Sequence, residues 1–329
     1  MLETDKICVI GAGRWGSNHI RTLFDMEFLG GVVESDEGNL EKIKVKYPAI
    51  NMYSQVSEAL KAKKFKGYII ATPAETHFEI AKKIMINRCH VLVEKPITLI
   101  KEEAVELKKI SEKYQVNLMV GHILLFHPAI VKIKELINSG KIGDLQYIYS
   151  NRLNLGTIRT NENVFWSLAP HDISIFQYFL NSKPIKITSI GSAYLQENIH
   201  DTTITVFEYA NNVKAHIFVS WLHPFKEHRL VIVGSNGMIS FEDSKDSKPL
   251  KLYSKSYDMR KGYLEKRDGP VELISYEKTS PLENELRYFI DHMDEKKISI
   301  ANAQNAIDVV DILIKSSDSL INGKGIIIE

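Results

Sequence analysis

Hydrophobic positions in the first third of the chain follow two alternating patterns. Runs of four or five residues, rich in Ile and Val, predict strands buried on both faces of a parallel sheet. These runs lie at Lys6–Ile10, Gly31–Glu34, Gly67–Ala71, His90–Glu94 and Asn117–Val120. Helical periodicity separates them at Thr76–Asn87 and at Thr98–Tyr114, where Thr98 is the expected N-cap. This alternation predicts right-handed crossovers and a doubly wound parallel sheet of the α/β class.

The pattern changes after Gly121. Helical periodicity continues at Pro128–Ser139 and Phe165–Leu180. Strand-like segments then dominate, at Asp144–Ser150, Ile185–Gly191, Thr202–Tyr209, Val213–Trp221, His228–Val233, Met238–Phe241 and Leu250–Tyr253. Asn211-Asn212 is typical of a hairpin turn between two of them. The second part is therefore predicted to be an α+β domain with a large, mostly antiparallel sheet that has one solvated or partner-covered face.

Polar stretches and two final helices complete the predicted organisation. Loops are expected at Asp243–Pro249 and around Lys261–Gly269, and striped helices at Leu282–Met293 and Ala303–Ile321. The 329 residues are enough for two domains. We place a dinucleotide-binding domain at 1–121 and a substrate-binding and oligomerisation domain at 122–329, with the C-terminal helices as candidates to pack back on the first domain.

Composition excludes several classes of function. Lys and Arg total 42 against 41 Asp and Glu, so the basic excess of a nucleic-acid or anionic-membrane binder is missing. The two cysteines, Cys8 and Cys89, lie in no CxxC or Cys/His cluster, which argues against a zinc site or a disulfide framework. The sequence has neither a signal peptide nor an apolar run of membrane-helix length, and we expect a cytoplasmic protein.

A glycine-rich turn follows the first predicted strand. Gly11, Gly13 and Gly16 form a GxGxxG pattern that opens a helix, and Glu34 ends the next strand 18 residues after Gly16. In this context the pattern is the dinucleotide fingerprint: the glycines allow the tight turn, the close approach of a pyrophosphate and close helix packing. Glu34 can accept hydrogen bonds from the adenosine ribose and would repel a 2′-phosphate. The sequence therefore predicts NAD rather than NADP.

A second motif, Glu94-Lys95-Pro96, ends a later strand at the edge where such sheets bind ligands. Its proline stops the strand and can take the cis form, which would aim the lysine. Together with the glycine turn and with Ala71-Thr72-Pro73 followed by His77, it makes the chain resemble the glucose-fructose oxidoreductase/inositol dehydrogenase (Gfo/Idh/MocA) family over essentially its whole length. The resemblance implies an N-terminal Rossmann domain and a C-terminal domain whose sheet often forms the oligomer interface, so we expect a homodimer or homotetramer.

The resemblance also implies roles for individual residues. Lys95 corresponds to the active-site lysine and His171 to the histidine of the family. We assign His171 as the base and Lys95, with a pKa lowered by burial and the nicotinamide charge, as the hydrogen-bond donor to the reacting oxygen; the reverse assignment stays open. Ser167 stands where many members have Asp. The expected cofactor-binding residues are Gly11, Gly13, Arg14, Trp15, Gly16, Glu34, Thr72, Pro73, His77, Glu94 and Lys95. No metal site is expected.

Other segments resemble bacterial nucleotide-sugar 3-dehydrogenases within the family. These are Gly121-His122 to His127-Pro128, residues 152–156 and Trp166 to Asp172. They imply NAD-dependent oxidation of the C3 hydroxyl of UDP-N-acetylglucosamine, which precedes an aminotransferase on the route to a 2,3-diamino sugar of lipid A or other surface glycans. Arginines can bind the diphosphate of such a substrate. The expected substrate contacts are His122, Arg152, Asn154, Arg159, Asn163, Trp166 and Asp172.

Three alternatives remain open at this stage. The substrate could be the corresponding uronate, UDP-N-acetylglucosaminuronate, or a free sugar or inositol. A different class of protein, an NAD-binding sensor or regulatory subunit without turnover, is favoured slightly by Ser167 and disfavoured by the presence of both Lys95 and His171.

Overall fold

The computed structural model describes residues 6–260, 262–294 and 297–328. They form two compact units, each considered by itself. The first comprises the chain up to Phe126 together with Thr279–Val310, and the second comprises His127–Lys278 and the residues from Asp311 onward. The predicted domain boundary at 121 stays a prediction, because compactness does not show where an independently folding domain ends.

The first unit contains a parallel sheet with six described strands in the order β3-β2-β1-β4-β5-β6. The strands are β1 (Ile7–Ile10), β2 (Leu29–Val33), β3 (Asn51–Tyr53), β4 (Gly67–Ile70), β5 (His90–Val93) and β6 (Leu118–Val120). All neighbouring pairs are parallel, which confirms the doubly wound sheet. The strand order reverses between β1 and β4, and such a switch point is where these sheets bind ligands. Only β3 was not predicted, because its three half-buried residues carry no apolar run.

Helices connect and cover these strands. They are α1 (Gly16–Asp25), α2 (Glu37–Lys46), α3 (Val56–Ala62), α4 (His77–Ile86), α5 (Lys101–Tyr114), α9 (Pro281–Asp291) and the first part of α10 (Ala303–Asn322), with 3-10 turns at Ala74–Thr76 and Ile123–Phe126. The expected N-cap at Thr98 was wrong. Helix α5 begins at Lys101, and the Thr98 hydroxyl donates to the Ile100 carbonyl oxygen at 2.7 Å.

The second unit is built on a sheet with nine described strands in the order β14-β13-β12-β11-β7-β10-β9-β8-β15. They are β7 (Leu145–Leu153), β8 (Lys186–Ser192), β9 (Thr202–Glu208), β10 (Lys214–Ser220), β11 (Glu227–Gly234), β12 (Met238–Glu242), β13 (Leu250–Arg260), β14 (Tyr263–Leu273) and β15 (Ile326–Ile327). Among these described strands only β7 and β10 pair in parallel, so the mostly antiparallel sheet is confirmed. The turn at Asn211-Asn212 joins β9 to β10 with Asn212 at a φ of 64°.

One face of this sheet is buried. Alternate residues such as Ile148, Ile217 and Ile232 are fully buried. The remaining helices of the unit are α6 (Pro128–Asn138), α7 (Val164–Leu168), α8 (Pro170–Leu180) and the second part of α10, and α7 packs against β9 and β10. The single helix expected at Phe165–Leu180 is therefore two. Pro170 is the first residue of α8, where its missing N–H breaks the hydrogen-bond ladder.

The loop expected around Lys261–Gly269 was also wrong for the described residues; Lys261 lies outside them. Tyr263–Leu273 forms β14, which pairs with an eleven-residue β13 in a long hairpin. The side chains of β14 are almost all exposed, so no hydrophobic alternation marks it in the sequence. The loop at 243–249 is confirmed. Within the described ranges no helix has both the length and the apolar character needed to cross a membrane.

Candidate active site

The glycine motif forms a tight turn between β1 and α1. Gly11 has a φ of 89°, and a Cβ on it would lie 2.8 Å from the Ala71 carbonyl oxygen. A Cβ on Gly16 would lie 2.0 Å from the Gly11 carbonyl oxygen, whereas a Cβ on Gly13 would meet nothing within 4 Å. The turn is therefore close-packed on one side and bare at Gly13. That is the shape a pyrophosphate needs beside a helix N-terminus, and Arg14 and Trp15 are exposed in the same turn.

Glu34 follows β2 directly and turns back toward the glycine turn. Its carboxylate accepts the Ala12 N–H at 2.8 Å through Oε2 and the Asp36 N–H at 3.0 Å through Oε1. The side chain is half-buried, so its oxygens can also accept from ribose hydroxyls. Asp36 caps α2, accepting the Asn39 N–H at 2.7 Å. Two acidic residues at this edge fit NAD and oppose a 2′-phosphate.

Residues 71–77 connect the glycine turn to the Glu94-Lys95-Pro96 strand end. His77 is buried, with Nε2 2.9 Å from the Thr72 carbonyl oxygen and Nδ1 2.9 Å from the Pro96 carbonyl oxygen. Its position favours a role in holding these two segments together over direct cofactor contact. The Thr72 hydroxyl lies 2.7 Å from that of Thr76. The Lys95–Pro96 peptide bond is cis.

Glu94 contacts three different residues through its carboxylate. Its Oε1 accepts the indole N–H of Trp15 and lies 2.7 Å from Nε2 of His19, while its Oε2 accepts the backbone N–H of Lys95 at 3.2 Å. A Cβ on Gly121 would come within 2.9 Å of Oε2, so the chain passes this carboxylate at contact distance. Glu94 thus ties the cofactor turn to the strand end that carries Lys95, whose side chain is half-buried.

Two further buried groups belong to this region, and sequence reasoning missed one of them. His122, an expected substrate contact, is 2% exposed, and burial lowers its pKa to about 4. Glu285 in α9 is 0% exposed, and burial followed by the charge of Glu94 raises its pKa well above the ordinary value. Glu285 lies almost 200 residues from Glu94 in the sequence. The only signal for it was a polar residue within the apolar stripe of α9.

In the second unit, His171 lies at the start of α8 and is half-buried. The adjacent Asp172 is 1% exposed and accepts the Ser150 hydroxyl at 2.6 Å and the Arg152 Nε–H at 2.5 Å. Both of its carboxylate oxygens are therefore occupied by residues of β7. This geometry favours an anchor between α8 and the sheet over a substrate contact for Asp172, and it engages Arg152 in an internal ion pair.

The other expected substrate contacts lie in or near the segment that follows β7. Asn163 caps α7, accepting the N–H groups of Phe165 and Trp166 at 3.0 and 3.1 Å, so its amide oxygen has a structural role. The indole of Trp166 donates to the Ser317 hydroxyl at 2.9 Å. Asn154 is half-buried, like Arg152, Asn163 and Trp166, and Arg159 is the exposed residue of the expected set. Their contact with substrate stays a prediction.

The described residues contain no group of three or more His, Cys, Asp or Glu that could hold a metal ion. They do fit NAD: the bare backbone at Gly13, the helix that begins at Gly16 and the carboxylate of Glu34 match pyrophosphate and ribose.

The known proteins that this chain is similar to include dehydrogenases of a nucleotide sugar and of inositol. The chain is 26% identical over 191 residues to the UDP-N-acetylglucosamine 3-dehydrogenase of Acidithiobacillus ferrooxidans, covering 56% of this chain and 57% of that protein. A solved structure of the 3-dehydrogenase from this organism has a TM-score of 0.84 at 22% identity, over 96% of this chain and 97% of the other, which shows a common fold. The myo-inositol 2-dehydrogenase of Thermotoga maritima is 24% identical over 74% of this chain and 76% of that protein.

A third relative has a different activity by name. The 2,7-anhydro-N-acetylneuraminate hydratase of Escherichia coli is 25% identical over 74% of this chain and 69% of that protein. Residues 6–122 match the oxidoreductase family with an NAD-binding Rossmann fold, and residues 130–240 match the GFO/IDH/MocA C-terminal domain. Because it matches both domains of this family, the chain belongs to the GFO/IDH/MocA oxidoreductases and uses NAD.

Proposed function

We propose that this oxidoreductase oxidises the C3 hydroxyl of UDP-N-acetylglucosamine to the 3-keto sugar, which an aminotransferase would consume. The observation that carries the choice of substrate is the sequence relationship to the Acidithiobacillus ferrooxidans 3-dehydrogenase. The inositol dehydrogenase covers more of the chain at similar identity. For that reason a free sugar or inositol is the second candidate, and the uronate is a third.

Bound NAD would supply the acceptor for the hydride. In the proposal, Lys95 at the carboxyl end of β5 donates a hydrogen bond to the reacting oxygen, and His171 at the start of α8 takes the hydroxyl proton. Ser167 cannot stabilise an imidazolium as a carboxylate can. Asp172 does not replace it, because both of its oxygens are bound by Ser150 and Arg152. We therefore assign Asp172 the task of holding the first turn of α8, and with it His171, against β7.

A substrate panel tests this proposal. NADH absorbance is followed with UDP-N-acetylglucosamine, its uronate and myo-inositol, and the highest kcat/KM is expected for UDP-N-acetylglucosamine. Higher kcat/KM for myo-inositol would replace the substrate while keeping the reaction class. No NADH in a single turnover with any of the three would favour the sensor alternative.

Two variants test the chemistry separately. Loss of a general base costs about 10²–10⁴-fold in rate, so Lys95→Met and His171→Asn should each lower kcat by about 10²-fold or more. NAD affinity should stay close to wild type in both, because the turn at 11–16 and Glu34 hold the dinucleotide. Lys83→Met, at an exposed position of α4, is the matched control. Full turnover in both active-site variants would refute the assignment.

We also propose that a second copy of the chain covers the open face of the nine-stranded sheet. On that face the Tyr147 hydroxyl lies 2.6 Å from Nδ1 of His216, and the Tyr149 ring stacks on His216 at 5.2 Å. Ile204 and Val206 are exposed on β9. Light scattering should give the mass of a dimer or tetramer, and Val206→Lys should shift the protein toward the monomer. A monomeric wild type at micromolar concentration would reject the proposal.

A further inference from the structure

Glu285 is a buried acid that the proposed chemistry does not use. It lies in α9, which packs against α1 and against the turn at Ile123–Phe126. Helix α1 carries His19, His122 directly precedes that turn, and Glu94, whose charge acts on Glu285, directly follows β5. Among the described residues neither oxygen of Glu285 has a hydrogen-bond partner. A buried carboxyl group without a partner is costly, so its persistence needs an explanation.

Two other residues of this region, His122 and His19, also have buried side-chain atoms without a hydrogen-bond partner. Both ring nitrogens of His122 and Nδ1 of His19 are buried and make no hydrogen bond within the described part of the chain. The side chains of His19, His122 and Glu285 are at most 2% exposed. Five buried polar atoms from three segments of one unit therefore need partners.

Donor and acceptor counting shows how they can be satisfied. His19 uses Nε2 toward Glu94, which leaves Nδ1 as an acceptor when the ring is neutral. A neutral His122 offers one donor and one acceptor. Protonated Glu285 also offers one donor and one acceptor, whereas the carboxylate would offer acceptors alone. Buried water can join such groups, since each water makes two to four hydrogen bonds.

The contacts of Glu94 decide which of the two acids carries the charge. Glu94 has three groups at hydrogen-bond distance, from Trp15, His19 and Lys95, and these stabilise a carboxylate. Glu285 has none among the described residues. A charge on Glu94 therefore has donors beside it, whereas a charge on Glu285 would be buried without one.

We propose that His19, His122 and Glu285 form a buried, water-bridged network in which Glu285 is a neutral acid, and that this network positions the Glu94 carboxylate between the cofactor turn and Lys95. Glu285 is thus a positioning residue that acts through Glu94 and Trp15 on cofactor binding. The inference rests on the proposed cofactor role of Trp15 and Glu94 and is independent of the sugar that is oxidised.

Difference infrared spectroscopy tests the neutral acid directly. The spectrum of the full-length protein at pH 7, without nucleotide, is compared with that of Glu285→Gln. We expect the carbonyl band of a protonated carboxylic acid in the wild type and its loss in the variant. Absence of that band in the wild type would overturn the proposal, whatever the substrate panel shows.

Three variants then test the link to the cofactor by NADH fluorescence titration and thermal unfolding. Glu285→Gln keeps a donor and an acceptor, so the Kd for NADH should stay within about threefold of wild type. Glu285→Leu should raise that Kd about tenfold, within the range for residues coupled in one hydrogen-bond network. Its Tm should be equal to or below wild type, because leucine leaves the bridging water and the histidines of the network without a hydrogen-bond partner. Glu283→Leu makes the same change at an exposed position of α9 and should alter neither quantity.

Two results would count against the network. A Leu variant with lower Tm and unchanged NADH affinity would show a merely structural role for Glu285. A Gln variant that binds NADH as weakly as the Leu variant would show that an ionised Glu285 is required. Neither measurement uses a sugar substrate, so a wrong substrate assignment leaves both results interpretable.

Discussion

Two glycines of the cofactor turn should respond in opposite ways to the same change. Gly13→Ala places a methyl group where nothing lies within 4 Å, at a residue without positive φ. Replacing such a glycine stabilises a protein by about 0.4–1 kcal/mol through the unfolded chain. Gly16→Ala places its methyl group 2.0 Å from the Gly11 carbonyl oxygen, well inside contact distance. Overpacking of this kind costs about 1–3 kcal/mol.

Cofactor affinity separates the two variants further. A methyl group on Gly13 would occupy the space that a pyrophosphate needs. We therefore expect the Kd for NAD to rise at least about tenfold, which is a loss of about 1.4 kcal/mol of binding free energy. At 100 times the wild-type Kd, bound ligand adds about 2.7 kcal/mol of stability to the wild type. The same concentration would add about 1.4 kcal/mol to a variant that binds tenfold more weakly.

Calorimetric titration with NAD, and thermal unfolding with and without it, measure all of these quantities. Gly13→Ala should unfold at or above the wild-type temperature without NAD and gain less from its addition. Gly16→Ala should unfold earlier even without NAD. Tight NAD binding by Gly13→Ala would refute the placement of the pyrophosphate, and unchanged stability of Gly16→Ala would refute the close packing of α1 on the turn.

Further outcomes follow from the charge of Glu34, from the Asp172–Arg152 ion pair and from two buried histidines. The wild type should bind NAD more tightly than NADP and Glu34→Gln should narrow the difference, so equal dissociation constants in the wild type would contradict the role of Glu34. Asp172→Asn leaves the half-buried Arg152 without its charged partner and should lower the free energy of unfolding by up to about 3–5 kcal/mol in chemical denaturation, whereas Arg152→Met combined with Asp172→Leu should recover much of it. Burial lowers the pKa of His122 and of His228 to about 4, so the unfolded chain binds their protons first as the pH falls below 6.5. The contribution of these two histidines to the free energy of unfolding should therefore be fully present above pH 6.5. It should fall toward pH 4 by about 1.4 kcal/mol per pH unit for each histidine. His122→Gln should reduce that slope when unfolding is measured at a series of pH values.

Local sequence determined the features that neighbouring residues impose on each other. The short Ile- and Val-rich runs specify buried strands, and the spacing of Gly11, Gly13 and Gly16 specifies a tight turn in which Gly11 and Gly16 leave no room for a side chain. The strand-like segments Thr202–Tyr209 and Val213–Trp221, with the Asn211-Asn212 turn between them, likewise specify a hairpin. Each of these depends on backbone sterics or on burial within a few residues, which is why pattern alone predicted them.

Tertiary structure decided the features that join distant segments. The exposed β14 has no hydrophobic pattern and forms because β13 pairs with it. Asp172 was expected near substrate, yet its oxygens are taken by Ser150 and Arg152, 22 and 20 residues away in the sequence. Glu94 contacts His19, which is 75 residues away in the sequence, and Glu285 is separated from Glu94 by an even longer stretch of sequence. Whether a polar residue is buried, and which donor it meets, depends on packing between elements, and spacing along the chain does not encode that.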